Sequence, residues 1–246
     1  MVKKTPQQIH NLKQALADIR DKRHQFGDET FSQIVMALLE KLRRMQTLAL
    51  PETANAPLSD EVRLVTVMFV DIKDSTEMSQ RIAETSDWKD VIATADEHIA
   101  LLVTQWDGQI GQYLGDGVLC FFGARHTRSD DALHAVSCAL AIQEKMLEYG
   151  EEVHAQHGVD FRVRIGISTG RVVVGFVGDD SKQELLALGP ATNRAARLQT
   201  VAPPGTTFID SATYNRVRGE FITQELDPVH LKGFAEPVEP HQVIAK

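Results

Sequence analysis

Cysteine is scarce in this chain, whose 246 residues hold only Cys120 and Cys138. Two thiols cannot build a disulfide scaffold, and they offer no CxxC spacing for zinc. They read as small core residues of a protein kept in a reducing compartment. Long apolar runs are missing as well, since none approaches the roughly 18 residues a membrane-spanning helix needs. The opening stretch, MVKKTPQQIHNLKQ, lacks the apolar centre of a signal peptide, so the expected location is the cytoplasm. Positive charge is in deficit. Lys and Arg number 26 against 34 Asp and Glu, a formal net charge of −8. Such a chain repels extended polyanions at long range, which argues against nucleic-acid binding and against an anionic membrane surface. A small anion gripped by a few local cations is not excluded. No repeat of fixed period is present. What remains, 43% hydrophobic and 24% charged, is ordinary for one large domain with an appendage or for two small domains.

Residues 1–50 carry helical periodicity: Ile9, Leu12, Leu16 and Ile19 recur at spacings of three and four, as do Phe31, Val35, Leu38, Leu42 and Met45. Phe26–Thr30 between them contains a helix stop and an N-cap at Asp28. The narrow stripes suit a helical hairpin lying on the rest of the chain or a dimerising, signal-relaying segment. Leu50–Ser59, with Pro51 and Pro57 and no periodicity, reads as a linker. The expected organisation is therefore a helical segment and linker over residues 1–58 and a larger domain over 59–246.

From residue 60 strands and helices alternate. Arg63–Val70 is apolar and β-branched, as a central strand buried on both faces should be. Helix is expected over Glu77–Gln105, followed by strands Gln109–Leu114 and Val118–Phe122 around an Asp116-Gly117 turn. A long helix over Ser129–Gln156 precedes strands over Phe161–Thr169, Arg171–Val177 and Leu185–Leu188. Helix Thr192–Thr200, strand Thr206–Ile209, helix Ser211–Val217 and strand Val238–Ile244 complete the pattern. This predicts an α+β sandwich, a mixed or mostly antiparallel sheet with helices packed on it.

Two carboxylates stand out. Asp71 ends the first strand, where a buried charge needs a metal, an Arg or helix N-terminal amides to offset its desolvation. Asp116 sits at the hairpin tip. Each alone is explicable as a cap or turn residue. Together, as strand-end carboxylates of one unit, they offer the hard oxygen donors that a pair of Mg²⁺ ions requires.

The segments FVDIKDST, QYLGDGVLCFFG, RIGISTGRVVVGFVG, LGPATNRAARL and LKGF resemble, in order and spacing, the catalytic domain of class III nucleotidyl cyclases over about residues 60–245. These are the adenylyl and guanylyl cyclases. Diguanylate cyclases, related by fold, would show GGDEF or GGEEF where this hairpin reads LGDG. The resemblance implies a ferredoxin-like, palm-type sheet. It also implies that Asp71, Asp116 and the Ile72 carbonyl hold two Mg²⁺ or Mn²⁺ ions. Asn193 would orient the ribose, and Arg197, four residues on and on the same helix face, would neutralise charge on the α-phosphate. Lys232 and, in some members, Arg171 would contact the β- and γ-phosphates. Such sites form between two catalytic domains, so a chain with one complete set should act as a head-to-tail homodimer.

Departures from the family's pattern concern the base and the phosphate loop. Gln112 and Leu186 occupy the base-reading positions, where adenylyl cyclases usually carry Lys and Asp or Thr. Gln both donates and accepts hydrogen bonds; Leu does neither. Glu184, on the same strand face as Leu186, is a candidate substitute, with a solvated charge as the plainer reading. Asp74 stands where the family commonly has Gly. The expected activity is conversion of a nucleoside triphosphate, ATP first, to its 3′,5′-cyclic monophosphate. The alternative is a weak or inactive cyclase-homology domain that binds nucleotide and serves regulation or dimerisation.

Overall fold

The computed structural model describes residues 61–82, 84–179 and 182–246. The expected N-terminal helical hairpin and the linker lie outside them. The first strand, β1 (Glu61–Ile72), explains the arrangement of the rest. Val65 and Val67 enter one apolar cluster while Met68, Val70 and Ile72 enter another, so both faces of the strand are buried. Each such side chain contributes about 1.5–3 kcal/mol on burial.

Two helices follow, α1 (Ser75–Arg81) and α2 (Thr85–Gln105). One continuous helix was expected here. The chain instead turns extended at Ile82, whose side chain is buried, and restarts at Thr85-Ser86-Asp87, short polar residues that favour helix starts. The hairpin β2 (Gln109–Tyr113) and β3 (Gly117–Phe122) is as expected, but its positive φ falls on Gly115 (φ 93) rather than on the Asp-Gly pair. Next come α3 (Asp131–His157), β4 (Val163–Asp179), β5 (Lys182–Leu188) and α4 (Pro190–Val201). The domain closes with β6 (Thr207–Asp210), α5 (Ser211–Val217), β7 (Ile222–Glu225) and β8 (Pro240–Ala245).

Two further corrections concern strands. β4 is one 17-residue strand, not two separated at Gly170, because Thr169, Gly170 and Arg171 stay paired with Thr66, Val65 and Leu64 of β1. The unpredicted β7 has a polar, exposed sequence and exists through its pairing with β8.

The strands run β2-β3-β1-β4-β6-β8-β7, with β5 paired to the later half of β4. Among the described residues these strands pair antiparallel except β4 with β6. This is the mixed α+β sandwich predicted from the sequence. Helices α2 and α3 pack on one face through Ala95, Ile99, Ile142 and Met146. On the other face α4 lays Ala191 and Ala195 against Val65, Val67, Phe121, Val172 and Val174. The α4 backbone rides directly on β4: a Cβ added at Gly166 would lie 2.2 Å from both the Ala195 carbonyl oxygen and the Gln199 nitrogen. Only glycine permits that approach. No helix among the described residues is long and apolar enough to cross a membrane.

Candidate active site

The β1–β3 register pairs Asp71 with Gly117, and the Ile72 amide donates to the Asp116 carbonyl at 3.0 Å. Sheet hydrogen bonding alone therefore brings Asp71, Ile72 and Asp116 to one corner. Gly117 keeps the corner open, since a Cβ there would meet the Val70 carbonyl oxygen at 2.8 Å and Asp71 Oδ1 at 3.4 Å.

Each carboxylate is held by side chains that the sequence reading passed over. Arg164, directly across β4 from Asp71, brings Nε and Nη2 each to 2.9 Å of Asp71 Oδ2. Gln199 of α4, buried, donates from Nε2 to the same oxygen at 2.8 Å. Arg164 also donates from Nη1 to the Thr200 carbonyl at 2.9 Å, one of the carbonyls left unpaired at the end of α4. Ser75, at the start of α1, donates to Asp116 Oδ2. Nothing in local sequence pattern could reveal these partners, because they meet only through strand register and helix phase.

A third carboxylate lies near. Asp96 of α2 is pushed up to about 7, first by burial and then by the charge of Asp116. Burial and the Asp116 charge together thus favour the protonated form of Asp96. Two facing carboxylates plus a backbone carbonyl are the hard-oxygen donor set that Mg²⁺ or Mn²⁺ accepts, with the remaining ligands left to substrate phosphate and water. The residues present fit such ions. Among the described residues no cluster of three or more His, Cys, Asp or Glu side chains suited to a metal occurs, so the set rests on this pair and on oxygens from elsewhere.

Helix α4 carries the other half. Its buried positions are Ala191, Thr192, Ala195, Leu198 and Gln199, a stripe at helical spacing. Asn193 is exposed and Arg197 half-buried, four residues apart on the side away from that stripe. Gln199, two residues or about 200° beyond Arg197, points inward to Asp71. One helix therefore shows its back to this chain's carboxylate corner and its Asn193–Arg197 face outward. Lys232 is exposed on the turn Leu231–Phe234, closed by a bond from the Phe234 amide to the Leu231 carbonyl at 3.1 Å. Leu231 packs with Leu198 and Phe208, which fixes that turn to the end of α4. Arg171 is exposed on β4 opposite Leu64, seven residues along the ladder from the Arg164–Asp71 pair. At about 3.3 Å per residue that is about 23 Å away. Its carbonyl lies beside Gly189 at the start of α4.

Gln112 is buried on β2 beyond a bulge, and Leu186 is half-buried on β5, a strand that approaches β2. The Glu184 side chain lies outside the described residues. Asp74 adopts left-handed geometry (φ 58, ψ 28), a conformation most side chains avoid and glycine takes freely. Its carboxylate pairs with Lys73, and the side chain is 56% exposed.

Comparison with known proteins bears on the family and the fold. The family model described as "Adenylate and Guanylate cyclase catalytic domain" matches residues 58–245. Adenylate cyclase 1 of Rhizobium meliloti (strain 1021) is 36% identical over 138 residues, covering 55% of this chain and 20% of that protein. The crystal structure of the adenylyl cyclase CyaB from P. aeruginosa superposes with a TM-score of 0.71 at 28% identity, over 76% of this chain and 96% of that one. The guanylate cyclase domain of RhGC from Catenaria anguillulae, solved in complex with GTP, gives 0.67 at 28% identity, over 74% and 97%. The chain thus spans a fifth of the Rhizobium protein but nearly all of each crystallised domain.

Proposed function

Since this chain belongs to the adenylate and guanylate cyclase catalytic domain family, we propose that it converts a nucleoside triphosphate, ATP first, into the 3′,5′-cyclic monophosphate and pyrophosphate at sites shared by two copies. The observation that carries this reading is the two-faced helix α4. Gln199 on its back grips Asp71, while Asn193 and Arg197 look outward, away from the carboxylates they would need to serve. A second copy, turned head to tail, would supply the carboxylates opposite that outward face, and the symmetry would make two equivalent sites.

Asp71, Asp116 and the Ile72 carbonyl would hold the two Mg²⁺ or Mn²⁺ ions. Bound there, the ions would ease deprotonation of the ribose 3′-hydroxyl and offset the triphosphate charge. The chain's own residues do the rest. The Asn193 amide orients the ribose so that the 3′-oxygen lies in line with the α-phosphorus. The Arg197 guanidinium meets the charge that grows on the α-phosphate as the new P–O bond forms and the bond to the β-phosphate breaks. Lys232 holds the departing pyrophosphate. These local cations answer the long-range repulsion expected from a net charge of −8.

The base pocket is built unusually. Gln112 can present either a donor or an acceptor to a base edge, whereas Leu186 offers only apolar contact. Selectivity between bases should therefore be shallow. Turnover of each of the four nucleoside triphosphates with Mg²⁺ and with Mn²⁺ tests the reading. Cyclic product from ATP, with a second triphosphate accepted within about tenfold, is the expected result. No pyrophosphate from any of them would leave the non-catalytic reading, which Leu186 favours, in possession.

A further inference from the structure

We infer that Arg194 is the positioning residue that holds the Lys232 turn in register with Asn193 and Arg197, a reading that rests on the function proposed above and deepens it. Arg194 follows Asn193 on α4 and touches two different parts of the fold. Its Nη1 lies 3.1 Å from Asp210 Oδ2, and its guanidinium lies over the Phe234 ring, 5.3 Å from the centroid. Phe234 closes the turn that bears Lys232, where Gly233 takes φ 88.

The Asp210 end of this contact is rigid. Its side chain is 3% exposed. It accepts from Ser168 Oγ at 2.6 Å, from Thr213 Oγ1 at 2.6 Å and from the Thr213 amide at 2.8 Å. The Thr169 amide adds a longer bond at 3.4 Å, and Thr169 and Thr213 bond each other through their hydroxyls. A buried carboxylate so surrounded is a fixed point of the β4–β6 layer, and Arg194 is the cation set against it.

The Phe234 end needs that anchor. Residues 230–237 form a loop closed at its base by the paired amides and carbonyls of Val229 and Val238. Within it Leu231 is buried and Phe234 partly so, while Lys232, Gly233 and 235–237 are exposed. Leu231 anchors one side of the turn. Phe234 packs on the same apolar cluster as Leu231, and the Arg194 guanidinium over its ring sets the tilt of the turn. Loss of that stack would let the tilt relax and shift Lys232 at the tip relative to α4. A guanidinium suits this task because its plane stacks on an aromatic ring while its edge donates to a carboxylate; an ammonium offers only a point charge.

The test uses the full chain with Arg194→Met, Arg194→Lys and the double variant Arg194→Met/Asp210→Asn. Hydrogen–deuterium exchange over residues 229–238 is followed together with steady-state kinetics. Exchange of the turn should rise about tenfold in all three variants, with α3 unchanged. In the same variants kcat should fall at least tenfold while KM changes less than threefold, because the lost contact acts on the departing pyrophosphate. The double variant removes the uncompensated carboxylate and should recover thermal stability without recovering kcat. Unchanged exchange in the turn overturns the inference. So does a double variant that regains full kcat, which would make Arg194 a mere counter-charge, or raised exchange with kcat intact. Exchange is read even if no triphosphate is turned over, so failure of the proposed activity and failure of this inference are separable.

Discussion

The carboxylate corner and the outward face of α4 are built by opposite means. Asp71 and Asp116 are set by strand register and then held from within the chain, by Arg164, Gln199 and Ser75. Asn193 and Arg197 owe their placement to helix phase alone and face away from the core. Beyond the backbone bonds of the helix, the Arg197 side chain makes no hydrogen bond among the described residues. One region is held by side chains of its own chain, and the other, in the function proposed above, would face a second copy. Their separation by the thickness of one helix is the physical argument for a shared site, because α4 cannot turn both faces to the same substrate.

The strongest way to break that comparison is to disable each half separately. Asp71→Ala and Asn193→Ala should each lower kcat by about a thousandfold. Mixed in equal amounts under subunit exchange, they should recover about a quarter of wild-type activity, since half the dimers are mixed and each has one intact site. Activity that stays at the single-variant level after demonstrated exchange would mean that both halves serve one chain.

Gln199→Leu probes the link between the two regions. Loss of its bond to Asp71 should weaken Mn²⁺ binding, followed by electron paramagnetic resonance, about tenfold, while the Asn193–Arg197 face is untouched. An unaltered Mn²⁺ affinity would show that the Asp71 carboxylate keeps its place without Gln199.

A smaller effect is expected at Asp74. Glycine accepts φ 58 without cost, so Asp74→Gly should stabilise the domain by about 1 kcal/mol in urea unfolding. The exposed Lys73–Asp74 pair that is lost contributes little against this. A lower midpoint with unchanged slope would show that the ion pair outweighs the backbone term.

The smallest effect concerns the sheet beneath the carboxylate corner. Cys120 and Cys138 are both buried. Burial pushes the Cys138 thiol up to about 12 and raises that of Cys120 as well. Neither should react with a disulfide reagent at pH 8 in the folded protein, and both should react once guanidinium unfolds it. Rapid labelling of Cys120 in the native state would mean that β3 opens more readily than the comparison assumes.

Much of the fold was legible because periodicity and turn chemistry are local. The hairpin, the long helix α3 and the nine residues at the centre of α4 fall close to where apolar spacing puts them. The two strand misses share one cause. Gly170 reads as a break, yet pairing with β1 on its flank carries β4 through it. Ile222–Glu225 reads as loop, yet β8 recruits it as a strand. In both cases hydrogen bonds to a distant strand outweigh a weak local preference.

The sequence by itself determined the family resemblance, the two aspartates, the Asn–Arg spacing and the strand–helix alternation, since each is a matter of residue type and short-range interval. It also exposed the irregular base positions Gln112 and Leu186. Only the tertiary structure decided which side chains steady those residues. Arg164 meets Asp71 through antiparallel register, Gln199 meets it through the close approach at Gly166, and Arg194 joins Asp210 to Phe234 across three elements. Contacts between residues that lie tens of positions apart arise from packing, and no local interval in the chain encodes them.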